Sequence, residues 1–333
     1  MIWLPILYNY IIAALFICVP IVAMYKRTRK FFALPLVVSV ALNLVTKSIP
    51  LNLFEKNEQK GLTVMTFNMN SAGDYFKSAY KNPQEFVDFV TSQNADVVVL
   101  EECYAMYCED AFHKLMIKQY PYVNIQHNGC PNWVYSKYPL GKMEEIKMAE
   151  GEEPEFVEAL DKYIHKIVHE RRNVTGMYVY TPKDSLYLIA CHLTSNGYDS
   201  IRTTMGKDDS WMEGLPRYTD ALKVATDERC KEADAIAKKV SVLRNKGSKV
   251  IVVGDMNDVA GSKTIRTIPK DGLLRNGWWE KGCGFGFTFH GLEPAMFRLD
   301  HVFHTDNIKL NGIKVVNQFF SDHDPIVACF DIE

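Results

Sequence analysis

The sequence predicts an α/β domain carried behind an N-terminal transmembrane helical hairpin. Three observations predict it. Beyond Gly61, strand-like and helix-like segments alternate. From Ile2 to Tyr25 there is no charged side chain. No Gly/Ser/Pro linker, repeat or low-complexity tract divides residues 60–333, so residues 1–54 read as an anchor and residues 60–333 as one domain.

The anchor follows from length. At about 1.5 Å per residue, roughly twenty apolar residues cross a bilayer core, and Ile2–Tyr25 suffices. "KRTRK" (Lys26 to Lys30) comes next, then a second apolar run from Phe31 to Thr46. That run is short, but Lys47 can snorkel and let Ile49 to Phe54 contribute. A cleaved signal peptide fits less well, since Met1 to Pro5 carries no positive charge and no small-x-small site precedes the basic cluster. With "KRTRK" cytoplasmic, the N-terminus and everything after Leu53 are expected on the outer face, periplasmic or extracellular. The bilayer is then one partner, through residues 1–54; no protein partner is expected.

Charge separates the two parts. Residues 1–59 hold six Lys or Arg against two Glu, which leaves 32 basic and 38 acidic residues beyond. An acidic domain lacks the footprint of a protein that grips phosphate backbones without sequence preference, a mild argument against nucleic acid. At 47% hydrophobic and 23% charged the chain reads as globular. Eight cysteines include no CxxC pair, which argues against a thiolate zinc site, and a Cys103–Cys130 disulfide belongs only to an oxidising compartment.

Along the domain, "LTVMTFN" and "ADVVVLEE" read as buried strands and "NPQEFVDFVTSQN" as a helix with an Asn cap and Pro in its first turn. "WVYSKYPL", "TGMYVYTP" and "LYLIACHLTSN" are strand pieces. "TDERCKEADAIAKKVSVLRNKG" (Thr226 to Gly247) is an amphipathic helix stopped by Gly247. Then come "KVIVVGDMND", "RLDHVFHT" and "SDHDPIVACF". Two charged stretches, about 144–172 and 198–227, read as surface excursions.

Buried strands repeatedly end in polar residues: Asn68, Glu101–Glu102, His192, Asp255-x-Asn257, Asp300–His301 and Asp322–His323. In a layered fold such ends converge at one edge, where loops build a site. Clustered Asn, Asp and Glu oxygens suit Mg²⁺, Mn²⁺ or Ca²⁺. Histidines beside them bind phosphate or move protons near neutral pH. The inventory fits metal-assisted hydrolysis of a phosphate ester.

The ordered series "TFNMN", "DVVVLEE", "VYSKYPL", "CHLTSN", "GDMND", "RLDHVF" and "SDHDPI" resembles the endonuclease/exonuclease/phosphatase superfamily, the deoxyribonuclease I-like fold, in a membrane-anchored bacterial form. The resemblance implies a four-layered α/β sandwich, two packed mixed β-sheets flanked by helices. It also implies roles. Glu102 is expected to ligate the metal, with Asn68, Asp255 and Asp322 beside it. Asp255 activates the attacking water, and Asn257, Asn68 and His192 contact the phosphate. His323 binds phosphate or transfers protons, held by Asp300. Glu101 departs from the family's Gln, Met256 from Phe and His301 from Tyr. Arg298, two residues before Asp300, reads as a substrate contact or a structural ion pair. "GCGFGFTF" lacks the strand-to-helix setting of a phosphate loop and reads as a close-packed loop near the site. Trp278 and Trp279 read as packing ahead of a stacking wall.

The favoured substrate is a lipid-linked or headgroup phosphate, because tethering at a bilayer raises its local concentration. A nuclease acting on DNA or RNA is the alternative, and a non-catalytic binding module on the same fold the third reading.

Overall fold

Side-chain parity along the strands organises the molecule. The computed structural model describes residues 10, 11, 14, 29–53, 58, 60–70, 81–103, 111–125, 132–148, 173–196, 211–292 and 295–332. In strand β1 (Leu62–Asn68) all seven residues are buried, but successive side chains leave opposite faces. Val64 enters one core, and Met65 and Phe67 enter another. The same alternation holds in β2 (Val97–Glu101), where Val97 and Val99 face one way and Val98 and Leu100 the other.

Two six-stranded sheets result among the described residues. The first adds β3 (Tyr122–Asn124), β4 (Trp133–Ser136), β13 (Lys309–Val315) and β14 (Ile326–Asp331), in the order β13-β14-β1-β2-β4-β3. The second contains β5 (Glu144–Glu145), β6 (Asn173–Tyr180), β7 (Ser185–His192), β8 (Val250–Asp255), β9 (Leu274–Asn276) and β12 (Asp300–Thr305), in the order β5-β6-β7-β8-β12-β9. Both sheets are mixed: β1 runs parallel to β2 but antiparallel to β14, and β7 runs parallel to β8 but antiparallel to β6. A two-stranded ribbon, β10 (Phe289–Leu292) with β11 (Ala295–Phe297), stands apart.

The sheets pack face to face over Val64, Val99, Leu188, Ala190, Ile251 and Val253. Helices α2 (Pro83–Ser92) and α3 (Ala111–Gln119) cover the outside of the first sheet through Phe86, Val90, Phe112 and Met116. Helix α4 (Trp211–Asn245) covers the outside of the second through Ala233, Ile236 and Val240. These are the four layers expected. Short helices α5 (Lys263–Thr267) and α6 (Gly277–Lys281) complete the domain. Asn82 stands at the N-cap of α2, but its side chain makes no cap hydrogen bond. Helix α4 starts fifteen residues before the expected Thr226, running through Gly214 and Pro216, both poor helix formers. Gly247, at φ +78°, follows its end as expected.

Of the expected anchor, the first apolar run lies almost wholly outside the described residues. The second forms helix α1 (Arg29–Thr46). No helix among the described residues is long and apolar enough to cross a membrane. Helix α1 nevertheless inverts the usual polarity: Ser39 and Asn43 are buried, while Val37, Val38, Val40, Leu42 and Leu44 are exposed. After the helix, the chain is stitched to the 279–284 segment. Gly284 N–H donates to the Pro50 carbonyl at 2.8 Å, and Leu51 bridges to Cys283. Asn52 donates to the carbonyls of Trp279 and Gly282 at 3.0 and 2.9 Å.

Candidate active site

Register places the polar strand ends together. His192, Asp255 and Asp300 are cross-strand neighbours on β7, β8 and β12. Directly opposed residues share a face, so all three side chains leave the second sheet on one side. Parity says which side. Each lies two residues from a member of the inter-sheet core: Ala190, Val253 and Val302. On the first sheet, Asn68 pairs in register with Glu101, and both continue the inward rows of Val64 and Val99. The rows meet between the sheets at one end.

Asp255 is the hub. Asn68 Nδ2 donates to its Oδ2 at 2.9 Å, and His192 Nε2 and His323 Nε2 lie 3.9 and 3.8 Å from the same oxygen. Its other oxygen accepts from the Asn257 backbone N–H at 2.7 Å. Preceding it, Gly254 has φ +135°, and a Cβ there would lie 1.9 Å from the Cys191 carbonyl oxygen. Only glycine lets β7 approach β8 so closely beside Asp255. Burial raises the Asp255 carboxyl above its ordinary range, with the His323 charge opposing the rise.

His323 Nδ1 lies 2.8 Å from Asp300 Oδ2. Burial opposes its charge, but Asp300, Asp255 and Asp322 face it and hold the imidazolium well above the ordinary histidine range. The Asp300 backbone N–H donates to the Thr288 hydroxyl at 3.2 Å, and the Phe289 ring lies 4.9 Å from the His323 ring. Asp322 is one-eleventh exposed or less, and its Oδ1 accepts from the Ser321 hydroxyl at 3.3 Å. That hydroxyl also reaches the Asn68 carbonyl at 2.7 Å, tying the loop to β1.

Glu102 lies past the end of β2, where simple alternation would turn it outward. Its φ of +53° breaks the alternation. The carboxylate then points between the sheets, 3.4 Å from both Asn68 Nδ2 and His192 Nε2. Asn68 thus bridges two carboxylates with its amide nitrogen, while its Oδ1 accepts from the Asn70 N–H at 2.9 Å. Glu101 is fully buried and accepts from the Thr66 hydroxyl at 2.5 Å. Burial raises its carboxyl well above the carboxylate range.

A divalent cation fits this donor set. Glu102 and Asp255 offer hard oxygens around one amide, and both ring nitrogens of fully buried His192 lack a hydrogen-bond partner among the described residues. Asp255, Asp300 and His323 also bring ligating atoms within 4.8 Å of one another.

Two candidates are placed differently from the expectation. Arg298 Nη1 and Nη2 donate to the carbonyls of Phe285 and Ser48 at 2.6 and 3.0 Å, and its guanidinium lies 5.7 Å from the Trp278 ring. Those donors hold two loops together, the structural role weighed beside a substrate contact. The Asn257 amide donates to the Leu193 carbonyl at 2.9 Å, locking the turn at φ +50° after β8 to the turn after β7. Trp278 is buried in the inter-sheet core, and the "GCGFGFTF" loop packs on it: a Cβ on Gly286 would lie 2.3 Å from its ring.

Sequence reading missed Arg229 and Glu232, one turn apart on α4. Fully buried Arg229 donates to the Thr194 carbonyl at 2.9 Å, Asn196 Oδ1 at 2.7 Å and the Thr226 hydroxyl at 3.1 Å. Its Nε lies 3.4 Å from Asp258 Oδ2. Glu232 accepts from the Thr194 N–H and hydroxyl at 3.0 and 3.1 Å. Together they fix the turns that follow His192 and Asp255. Buried His301, pushed down to about 3 by burial, is neutral and pairs with the Asp258 carbonyl at 3.0 Å. The signal for Arg229 was an arginine on the apolar stripe of a helix.

Residues 228–323 match the Endonuclease/Exonuclease/phosphatase family, a span that contains Asp255, Asn257, Asp300, Asp322 and His323. That match spans less than a third of the chain. Solved structures share the fold at low identity. D. rerio TDP2 complexed with a single-strand DNA product is 15% identical, covering 81% of this chain and 98% of its own, with a TM-score of 0.54. Sphingomyelinase C from Streptomyces griseocarneus is 14% identical, covering 81% and 99%, with a TM-score of 0.51. A mannosyl-6-phosphatase from Bacteroides thetaiotaomicron is 15% identical, covering 81% and 100%, with a TM-score of 0.53. A comparison with curated protein sequences gives no match.

Proposed function

We propose that this enzyme is a membrane-tethered phosphoesterase, dependent on Mg²⁺ or Mn²⁺, whose substrate is a lipid-linked or headgroup phosphate. The observation that carries the chemistry is the convergence of Asn68, His192 and the Asp300-held His323 on one oxygen of Asp255. The inverted polarity of α1 supports the tether, because helices facing lipid turn apolar side chains outward and pack through small or polar ones. On this reading residues 1–54 anchor the chain, and the domain works on the outer face.

Each residue then has a step. Asp255, raised toward neutrality by burial, accepts the proton of the attacking water. As the new P–O bond forms and the ester P–O bond breaks, the His323 imidazolium donates to a phosphoryl oxygen where negative charge develops. Asp300 keeps that ring oriented and charged. His192 Nε2 contacts the phosphate from the other side. Glu102 and Asp255, bridged by the Asn68 amide, would hold the cation, with Asp322 as a further acidic contact, and the cation would supply Lewis-acid polarisation of a phosphoryl oxygen.

The test uses the full chain in lipid nanodiscs with Mg²⁺ or Mn²⁺. A lipid pyrophosphate, a phosphodiester lipid, plasmid DNA and RNA are offered to wild type, Asp255→Ala and His323→Ala. Turnover of a lipid phosphate, lost in both variants and on chelation, is expected. Nicked plasmid with inert lipids would make the enzyme a nuclease, the reading that the likeness to DNA-bound TDP2 favours. Silence on every substrate, with no cation bound by calorimetry, would leave a binding module.

A further inference from the structure

Asp322 and His323 stand on a loop, outside the sheet ladder. Strand β13 ends at Val315 and β14 begins at Ile326, so residues 316–325 join two antiparallel neighbours. Ordinary hairpin loops hold about two to five residues, and this one is longer. The ladder closes with the Val316 N–H on the Pro325 carbonyl at 3.0 Å, and the peptides beyond it need other partners. Several contacts attach the loop to the domain. The Phe320 ring packs on Phe86 and Phe89 at centroid distances of 5.5 and 5.6 Å, and the Ser321 hydroxyl holds the Asn68 carbonyl. The Asp324 N–H donates to the Thr288 carbonyl at 2.6 Å, and the His290 N–H donates to the Asp322 carbonyl at 2.9 Å.

Those contacts fix where the loop lies, and Gln318 fixes its inner shape. Between exposed Asn317 and Phe319, Gln318 is half-buried and turns its amide into the loop. Its Nε2 donates to the Ser321 carbonyl at 2.9 Å and to the His323 carbonyl. Its Oε1 accepts from the Ser321 N–H at 3.0 Å and from the Phe320 N–H. A side-chain amide has two donor hydrogens and one oxygen with two lone pairs, so its whole capacity is used. A glutamate of the same length cannot donate. The Gln318 backbone N–H donates to Asp324 Oδ1 at 3.1 Å, on the far side of His323. Each of these bonds joins one part of the loop to another. Their loss leaves the loop attached but lets the 320–323 peptides turn. The His323 ring turns with them, although it must meet Asp300 Oδ2 at 2.8 Å and Asp255 Oδ2 at 3.8 Å.

We propose that Gln318 is the positioning residue of His323, acting through the loop backbone without touching substrate. The proposal rests on the phosphoesterase reading, in which the His323 imidazolium meets the phosphoryl group as charge develops. The experiment uses the full chain in nanodiscs with Mg²⁺ or Mn²⁺. It measures Tm, kcat and KM on whichever substrate of the panel above wild type turns over. It also records the imidazole ¹⁵N–¹H correlation of His323, assigned by its loss in His323→Gln. Gln318→Ala is expected to lower kcat by about a hundredfold, the cost of a misplacement of roughly 1 Å, with KM within about twofold of wild type. The His323 signal should shift, while Tm falls by only about 2–4 °C because the attachments remain. Gln318→Glu keeps the size and both accepted bonds but sets an oxygen against two carbonyls, so it should do no better, and it decides the matter if Gln318→Ala does not fold. Phe320→Leu weakens the loop's packing and leaves its inner bonds, so it should lower Tm at least as far while keeping most of kcat. Wild-type kcat in Gln318→Ala, or wild-type kcat and His323 signal in Gln318→Glu, overturns the proposal. Equal loss of kcat in Phe320→Leu also overturns it, since catalysis would then follow loop stability alone. If wild type turns over no substrate, the catalytic reading fails and the His323 signal decides alone: a shift in Gln318→Ala upholds the positioning role, and an unmoved signal ends it.

Discussion

Replacing Arg229 by alanine is expected to damage stability and catalysis together. The substitution removes three hydrogen bonds and the ion pair to Asp258, whose side chain is only 12% exposed. Breaking a buried pair by deleting one partner costs about 3–5 kcal/mol, because the remaining charge stays desolvated. For a domain of this size each kcal/mol lowers Tm by about 2–4 °C, so a fall of roughly 6–20 °C follows. The freed Thr194 and Asp258 turns carry the chain out of His192 and Asp255. A misplacement of about 1 Å at those groups costs on the order of a hundredfold in kcat. The assay pairs thermal unfolding with kcat at a temperature where both proteins are folded. Arg229→Lys keeps the charge but not the fork, and should fall between. A Tm within about 2 °C of wild type, with kcat within about twofold, would refute the reasoning.

Gly254→Ala should fail to yield folded protein or lose most of its activity, since its Cβ meets a backbone oxygen at 1.9 Å; soluble, active protein by circular dichroism and turnover would contradict this. Glu101→Gln should keep activity, and its Tm near pH 7.5 should equal or exceed wild type. Its carboxyl is raised in the fold, so the folded state keeps a proton that the unfolded state releases above about pH 4.3, and wild type loses stability as pH rises from there. His290 has the opposite origin but the same slope. Its hydrogen bond to Asp324 raises it above the ordinary range, against burial. Its contribution is therefore full below about pH 6.5 and lost as pH rises through the raised value, so the Tm gap to His290→Gln should close toward pH 8.5. A gap that widens with pH would be the wrong sign.

Much of the site was legible because strand parity is a property of the sequence. In "VIVVGD" the alternation places Asp255 with Ile251 and Val253, and the same counting places His192 with Leu188 and Ala190. What convergence alone left hidden lies in backbone exceptions and long-range partners. Glu102 reaches the site through a left-handed residue that no alternation predicts. Arg298 has the charge of a phosphate ligand, but its nearest acceptors are carbonyls 13 and 250 residues away. Arg229 sits on a helix whose start was hidden by Gly214 and Pro216. The anchor was read from composition, and helix α1 contributes the one feature composition cannot state, which side chains face out.

The stitching of residues 48–52 to the 279–298 segment has a mechanical meaning. A catalytic head on a slack leash would sweep a hemisphere, and a nick in the leash would release it. Here the attachment behaves as a bracket. On the tethered reading, the cleft stands at a set height above the lipid and searches a plane, meeting only phosphates that the membrane presents at that height. Cleavage near residues 54–60 would then leave the head docked on its own anchor, its address unchanged.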